Sequence, residues 1–145
     1  MKLDDIKDKI KGPIFPVITA FYENGDVDYN STCLYIDFLC RSGAQVIYLM
    51  AHSSRLGLLS LYEVAKLNEV ICEYTKEKYP NVVVIGATPM YGGLNNTIEI
   101  AKVADAAGAD LISVIFNERH YSDEQVFGFF KAIGDSVSCG ILVHE

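Results

Sequence analysis

The chain has 145 residues, of which 50% are apolar and 21% charged, and its formal net charge is −7. This composition is typical of one globular domain, so we expect a single domain over residues 1–145. An acidic chain without a lysine or arginine cluster does not suit nucleic acid. Its apolar runs are far shorter than the roughly 20 residues of a membrane span, and its charged start lacks the apolar centre of a signal peptide. We therefore expect a cytoplasmic protein with neither nucleic-acid nor membrane partners.

The cysteines of the chain show no C-x-x-C pair and no metal-binding spacing. A reducing compartment keeps such thiols free, and free cysteine packs as a small apolar residue. We expect buried, unpaired thiols at Cys33, Cys40, Cys72 and Cys139.

Secondary-structure signals alternate along the chain. Residues 1–12 are predicted to form a leading helix that ends at Gly12-Pro13. Short apolar runs then predict five strands, at 13–20, 45–52, 82–88, 111–118 and 140–145. Amphipathic segments predict four helices, over 29–42 and from Ser60, Asn96 and Ser122 onward, with capping boxes at both serines. This alternation is typical of an α/β fold with repeated βαβ units and a buried parallel sheet.

Polar side chains lie at the ends of these apolar runs. In parallel α/β folds the ligand lies outside the carboxyl ends of the strands. The candidate functional residues are therefore Thr19, His52, Ser53, Asn117, Glu118, His144 and Glu145.

Four segments, in this order and spacing, carry a resemblance to a known family: 12-GPIFPVITAFYENGDVDYNS, 57-GLLSLYEVAKLNEV, 106-AAGADLISV and 122-SDEQVFGFFKAIGDSV. They resemble the dihydrodipicolinate synthase and N-acetylneuraminate lyase family of pyruvate-dependent aldolases. The resemblance implies a parallel (β/α)8 TIM barrel of which this chain supplies the first five strands and four helices. It also implies a homo-oligomer that needs no cofactor and binds pyruvate or a related 2-keto acid. The family's Schiff-base lysine ends the sixth strand, which would place it beyond residue 145.

The resemblance also assigns roles to the strand-end residues. The family's Gly-Thr-Thr-Gly-Glu loop corresponds to residues 51–55, so we expect Ser53, Ser54 and Arg55 to bind substrate, together with Thr19 and Asn117. The catalytic positions correspond to His52, Glu118 and His144, with His144 in place of the family's strand-five tyrosine. A histidine suits acid–base work near neutral pH because its ordinary pKa is about 6.5.

Several alternatives stay open at this stage. His52, Glu118 and His144 could instead ligate a metal ion, and the chain could be a non-catalytic fragment or pseudoenzyme, inactive by itself. Arg55 could pair with a loop carboxylate, and His120 is expected to be partly buried and hydrogen-bonded. The loop over 88–96 could be a lid or a plain surface turn.

Five strands of an eight-strand barrel would leave two exposed edges and an inner face without an opposite wall. Exposed edges pair with other chains, so we expect the 145-residue chain to self-associate. The residues expected to line the inner face are Ile18, Val46, Leu49, Val84 and Leu142.

Overall fold

A computed structural model describes residues 3–116 and 120–144, with the side chains of Leu3 and His52 outside that description. Five strands form one parallel sheet in the order in which they occur along the chain. They are β1 (Phe15–Val17), β2 (Val46–Leu49), β3 (Val83–Ala87), β4 (Leu111–Ile115) and β5 (Gly140–His144). The α/β class and the parallel order predicted from the sequence are confirmed.

Helices alternate with the strands as the amphipathic segments predict. The leading helix is α1 (Leu3–Lys9), followed by α2 (Tyr29–Arg41), α3 (Leu61–Lys78), α4 (Gly93–Ala106) and α5 (Asp123–Gly134). Both predicted capping boxes are present, at Ser60 with Glu63 and at Ser122 with Gln125. Helix α4 begins three residues before the predicted Asn96. Gly92 and Gly93 take positive φ angles of 147° and 69°, which glycine adopts without strain, and the chain turns into the helix there.

The two faces of the sheet pack against different parts of the chain. On the outer face, side chains such as Ile47 and Ile112 pack among the helices. On the inner face, a second cluster joins Val46, Val83, Ile85 and Leu111 to Ile6 of α1, with Leu142 packed against it.

The predicted inner lining is therefore correct for Val46 and Leu142 and wrong for Leu49 and Val84. Leu49 and Val84 belong to the outer, helix-facing core. Ile18 follows β1 and is 55% exposed, which does not decide its face, so that prediction stays open. Neighbouring residues of a strand point to opposite faces, so an error of one position reverses the assignment.

Helix α1 covers the amino-terminal end of the inner face. Ile6 is 3% exposed, and Val46, Val83 and Ile85 are fully buried. Lys9 Nζ also donates a hydrogen bond to the Asn81 carbonyl, at 2.6 Å, and so ties α1 to the segment before β3. Helix α1 therefore closes the inner face at this end, a cover that the sequence did not predict.

The cysteines are free thiols, as predicted. Cys72 is buried and the other three are half-buried. Burial is the main cause that raises the pKa of Cys72 and of Cys139 to about 12, which leaves both thiols protonated and unreactive at neutral pH. No helix in the described ranges combines the length and the apolar character that crossing a bilayer requires.

Candidate functional site

A strained turn follows β2 at the carboxyl edge of the sheet. The backbone is left-handed at Met50 (φ 49°) and Arg55 (φ 63°), on either side of a short 3-10 turn, His52–Ser54. That conformation costs an ordinary residue roughly 1–2 kcal/mol, and such strain concentrates at functional sites. Ser54 closes the turn, since its backbone N–H and its hydroxyl both donate to the Ala51 carbonyl at 2.8 Å.

The predicted substrate-binding residues around this turn differ in access. Thr19 is 6% exposed and Ser54 is 2% exposed, whereas Ser53 and Arg55 are open to solvent. The turn contacts β1, whose strand end carries Thr19. Ser53 and Arg55 can therefore meet a ligand directly, while the Ser54 hydroxyl is engaged within the turn.

Arg55 has no ion-pair partner among residues 3–116 and 120–144. In the described part of the chain, its guanidinium is thus not engaged by a loop carboxylate. A guanidinium at the edge where ligands bind presents a fork of donors that matches a carboxylate.

Three side chains meet on the inner face, below the carboxyl edge. The Tyr48 hydroxyl lies 2.8 Å from the Ser113 hydroxyl and 3.1 Å from His144 Nδ1. The Tyr48 and His144 rings pack edge to face, with centroids 6.1 Å apart. We call Tyr48, Ser113 and His144 the inner polar cluster.

The contact between Tyr48 and His144 also shows that the sheet is curved. Strands β2 and β5 are three places apart, a separation of roughly 14 Å in a flat sheet. Side chains that stand up from a flat sheet would not bridge that gap, so the inner face is concave, like the wall of a barrel.

Sequence reasoning placed His144 at the site but missed Tyr48 and Ser113. Both lie within apolar runs rather than at their ends, and a polar residue inside such a run was the available signal. Burial is the main cause that raises the pKa of Tyr48, partly opposed by its hydrogen bond with Ser113. Tyr48 is consequently a neutral phenol at physiological pH, able to donate a hydrogen bond.

Several of the predicted residues lie outside the described residues. They are Asn117, Glu118, Glu145 and the side chain of His52. Within the described part, no group of three or more histidines, cysteines or carboxylates could hold a metal ion. Because two of the three proposed metal ligands fall outside that part, the metal interpretation stays a prediction.

Two expectations on nearby loops have different outcomes. His120 is exposed, so its predicted partial burial is wrong. In the loop before α4, Tyr91 is 70% exposed. This exposure fits both a lid and a plain surface turn, so both alternatives stay open.

A wide cleft of about 720 Å³ lies at the opposite, amino-terminal edge of the sheet. Its charged lining residues are already paired: Lys76 forms an ion pair with Asp110, and Asp105 accepts from the Ser138 hydroxyl and backbone. Asp110 also accepts a hydrogen bond from the Val84 backbone N–H at 2.8 Å. These groups join strands to helices, so we place the functional site at the carboxyl edge instead.

A concave parallel sheet in chain order, with a helix after each of its first four strands and polar groups at its carboxyl edge, defines the first five strands of a (β/α)8 barrel. A family model described as the dihydrodipicolinate synthetase family matches residues 9–142. The chain belongs to this family.

Curated relatives support this assignment. The chain is 30% identical over 142 residues to 4-hydroxy-tetrahydrodipicolinate synthase of Bartonella bacilliformis, an alignment that covers 94% of this chain and 45% of the relative. It is 25% identical to the putative 2-dehydro-3-deoxy-D-gluconate aldolase YagE of Escherichia coli, covering 92% of this chain and 43% of the relative. The chain thus spans a little under half the length of the curated relatives that it matches.

Solved structures show the same fold. The crystal structure of YagE in complex with pyruvate superposes with a TM-score of 0.79 at 25% identity, over 90% of this chain and 43% of that chain. Dihydrodipicolinate synthase from Bacillus clausii superposes with a TM-score of 0.83 at 21% identity, over 95% and 46% of the two chains. The barrel fold expected from the resemblance is therefore confirmed.

Proposed function

We propose that the protein is a lyase or aldolase acting on pyruvate or a related 2-keto acid through a Schiff-base lysine beyond residue 145. Family membership over residues 9–142 carries this proposal. The pyruvate complex of YagE, a relative of similar fold, supports the choice of ligand. We propose that the active protein is a cytoplasmic homo-oligomer.

The proposed reaction begins when a lysine amine meets a 2-keto acid. The lysine amine adds to the keto carbon, the keto oxygen leaves as water, and the iminium that forms withdraws electrons from the neighbouring carbon. A carbon–carbon bond at that carbon can then be made or broken. Groups at the barrel mouth must hold the carboxylate and stabilise or move protons at the oxygen that leaves.

This chain offers residues for both tasks. The substrate carboxylate would lie against the turn after β2, where Ser53 offers a hydroxyl and a backbone N–H and Arg55 a fork of donors. Thr19 and Asn117 complete the proposed binding set, with Ser54 shaping the turn. His144 is the proposed acid–base group, supported by Glu118 and His52.

Borohydride trapping tests this function. The protein expressed from its complete gene is incubated with pyruvate, and separately with larger 2-keto acids, and sodium borohydride then reduces any iminium to a stable amine. We expect a mass gain, for one of these acids, on one lysine that lies beyond residue 145. Arg55→Ala should weaken trapping at low keto-acid concentration, while the exposed Tyr62→Phe serves as the matched control. Labelling confined to lysines of residues 1–145, or no labelling by any keto acid, contradicts the proposal.

The metal interpretation has its own measurement. If His52, Glu118 and His144 ligate a metal, the purified protein should contain about one equivalent of zinc or iron, and His144→Gln should remove it. A stoichiometric metal that is lost in this variant would favour a metal-dependent enzyme over the Schiff-base route.

A further inference from the structure

Tyr48 lies between the two ends of the inner face. Val46, two residues earlier on β2, belongs to the buried apolar cluster that Ile6 of α1 joins, and Tyr48 packs against that cluster. Two residues later, at Met50, the chain has left β2 and enters the strained turn at the carboxyl edge. Because successive side chains of a strand point to opposite faces, Tyr48 is the last inner-face residue of β2 before this turn.

The Tyr48 side chain crosses the inner face toward two other strands. Its hydroxyl lies 2.8 Å from the Ser113 hydroxyl on β4 and 3.1 Å from Nδ1 of His144 on β5. Its ring also packs edge to face on the His144 ring, with centroids 6.1 Å apart. These contacts fix the position of the ring, which therefore lies as a layer over the apolar cluster.

The exposure of the inner side chains shows that Tyr48 can be reached from outside. Val46 is fully buried and Ser113 is 1% exposed, whereas Tyr48 is half-buried. Part of the tyrosine ring is thus accessible, while the residues beside and beneath it are not. Since α1 closes the amino-terminal end, a ligand that enters at the carboxyl edge contacts Tyr48 before it can contact the apolar cluster.

The depth above the ring is short. Tyr48 and Met50 are two residues apart, which corresponds to about 7 Å along a strand. In the proposed function, the turn that Met50 begins holds the substrate carboxylate through Ser53 and Arg55. A short carbon chain directed inward from that turn fits this depth, whereas a longer one contacts the ring.

We infer that Tyr48 is the floor of the ligand cavity at the carboxyl edge and that its ring limits the length of the bound carbon chain. Tyr48 is then a specificity-determining residue. For a 2-keto acid as the ligand, this role rests on the proposed function.

Borohydride trapping with straight-chain 2-keto acids of increasing length tests the specificity role. The protein from its complete gene is titrated with pyruvate, 2-oxobutanoate, 2-oxopentanoate and 2-oxohexanoate, and the concentration for half-maximal labelling is measured for each acid. Tyr48→Ala removes the ring, so each added methylene can be buried in the space that the ring leaves. Relative to wild type, we expect the preference for a longer acid over pyruvate to rise by roughly fourfold per methylene.

Three further variants separate ring volume from hydrogen bonding and from folding. Tyr48→Phe keeps the ring and should retain the wild-type preference for chain length, although it loses both hydrogen bonds. Tyr48→Leu should shift the preference in the same direction as Tyr48→Ala but less, and it decides the test if Tyr48→Ala does not fold. Tyr62→Ala, exposed on α3, is the matched control and should change nothing. A wild-type preference in Tyr48→Leu, or in folded Tyr48→Ala, overturns the inference.

Thiol labelling tests the position of the floor without any keto acid. The cysteine introduced by Tyr48→Cys should react readily with a small charged methanethiosulfonate reagent. Val46→Cys, beneath the intact ring, should react at least roughly tenfold more slowly, because burial keeps a thiol protonated. Peptide mass spectrometry reads each position separately from the natural cysteines.

The labelling result also separates this inference from the proposed function. Equal labelling at the two positions, whether fast or slow, overturns the inference. Fast labelling of Tyr48→Cys and slow labelling of Val46→Cys, in a protein that no keto acid modifies, upholds the cavity floor and refutes the proposed function.

Discussion

Asn68 of α3 is the side chain whose removal should destabilise the protein most clearly. Its amide accepts a hydrogen bond from the Ala87 N–H at 3.0 Å and donates to the Ala87 carbonyl at 2.8 Å. The register between β2 and β3 extends to Tyr48 opposite Ile85, two residues before Ala87. The Asn68 amide therefore makes the hydrogen bonds to Ala87 that a continuing β2 strand would otherwise make. This contact lies beside the candidate site.

The cost of Asn68→Ala can be worked from these contacts. Asn68 is fully buried and Ala87 is 1% exposed, so the substitution leaves an N–H and a C=O of Ala87 without partners. Each orphaned group costs about 1–3 kcal/mol, so we expect the free energy of unfolding to fall by about 2–6 kcal/mol. Gly86→Ala should act on the same contact, because its Cβ would lie 2.9 Å from Asn68 Oδ1.

Thr75 provides a matched control on the same helix. It is fully buried, and its hydroxyl has no hydrogen-bond partner among the described residues. Thr75→Val keeps the shape and removes the unpaired group, so it should raise the free energy of unfolding by about 1 kcal/mol. Both substitutions remove a buried polar group from α3, and their expected effects are of opposite sign.

Urea denaturation of the protein from its complete gene, followed by circular dichroism, measures both changes. If Asn68→Ala alone leaves too little folded protein, the substitution is introduced into the Thr75→Val variant. The double variant is then compared with Thr75→Val alone. An Asn68→Ala change within about 0.5 kcal/mol, the range of an inert surface substitution, would refute the reasoning.

Three further predictions concern pH, strain and assembly. Asp37 has a lowered pKa, chiefly through its hydrogen bond from Lys78. Its stabilisation is therefore complete above the unfolded carboxyl pKa of about 3.9 and is lost as pH falls through the folded pKa. The difference in free energy of unfolding between wild type and Asp37→Asn, measured by urea titration, should decrease below about pH 4. A difference that does not change with pH would contradict this. Arg55→Gly should relieve left-handed strain and add about 1 kcal/mol of stability, while weakening keto-acid trapping; calorimetry that shows a loss of stability would contradict the strain argument. The 145-residue chain expressed by itself should self-associate through the outer edges of β1 and β5, and a compact monomer in sedimentation would refute this.

The elements of the fold could be predicted because helical and strand periodicities differ, and because the capping boxes at Ser60 and Ser122 mark helix starts directly. The face that each strand residue occupies could not be predicted as well. In a parallel strand both faces are apolar, so Leu49 and Val84 resemble inner residues although they face the helices. The start of α4 depended on the backbone of Gly92 and Gly93, whereas the sequence offered Asn96 as the more usual cap.

The residues of the candidate site also divide into those that could be predicted from the sequence and those that could not. Residues at strand ends, such as Thr19 and Ser53, could be named because the fold class fixes where ligands bind, whereas Arg55 was named from the family resemblance. Tyr48 and Ser113 could not be named in this way, since their meeting with His144 depends on strand register and on the curvature of the sheet. The periodicity of the sequence predicts neither the strand register nor the curvature of the sheet.

Helix α1 has a consequence for how solvent reaches the cluster. Its Ile6 seals the amino-terminal end of the inner face over Val46, Val83 and Ile85, which are fully buried. In the described part of the chain, α1 thus closes the base of the curved sheet, and the carboxyl edge at the other end is open to a ligand. Hydrogen exchange should reflect this geometry: amides of the lower inner layer exchange only when α1 lifts away, whereas those around the mouth exchange without it.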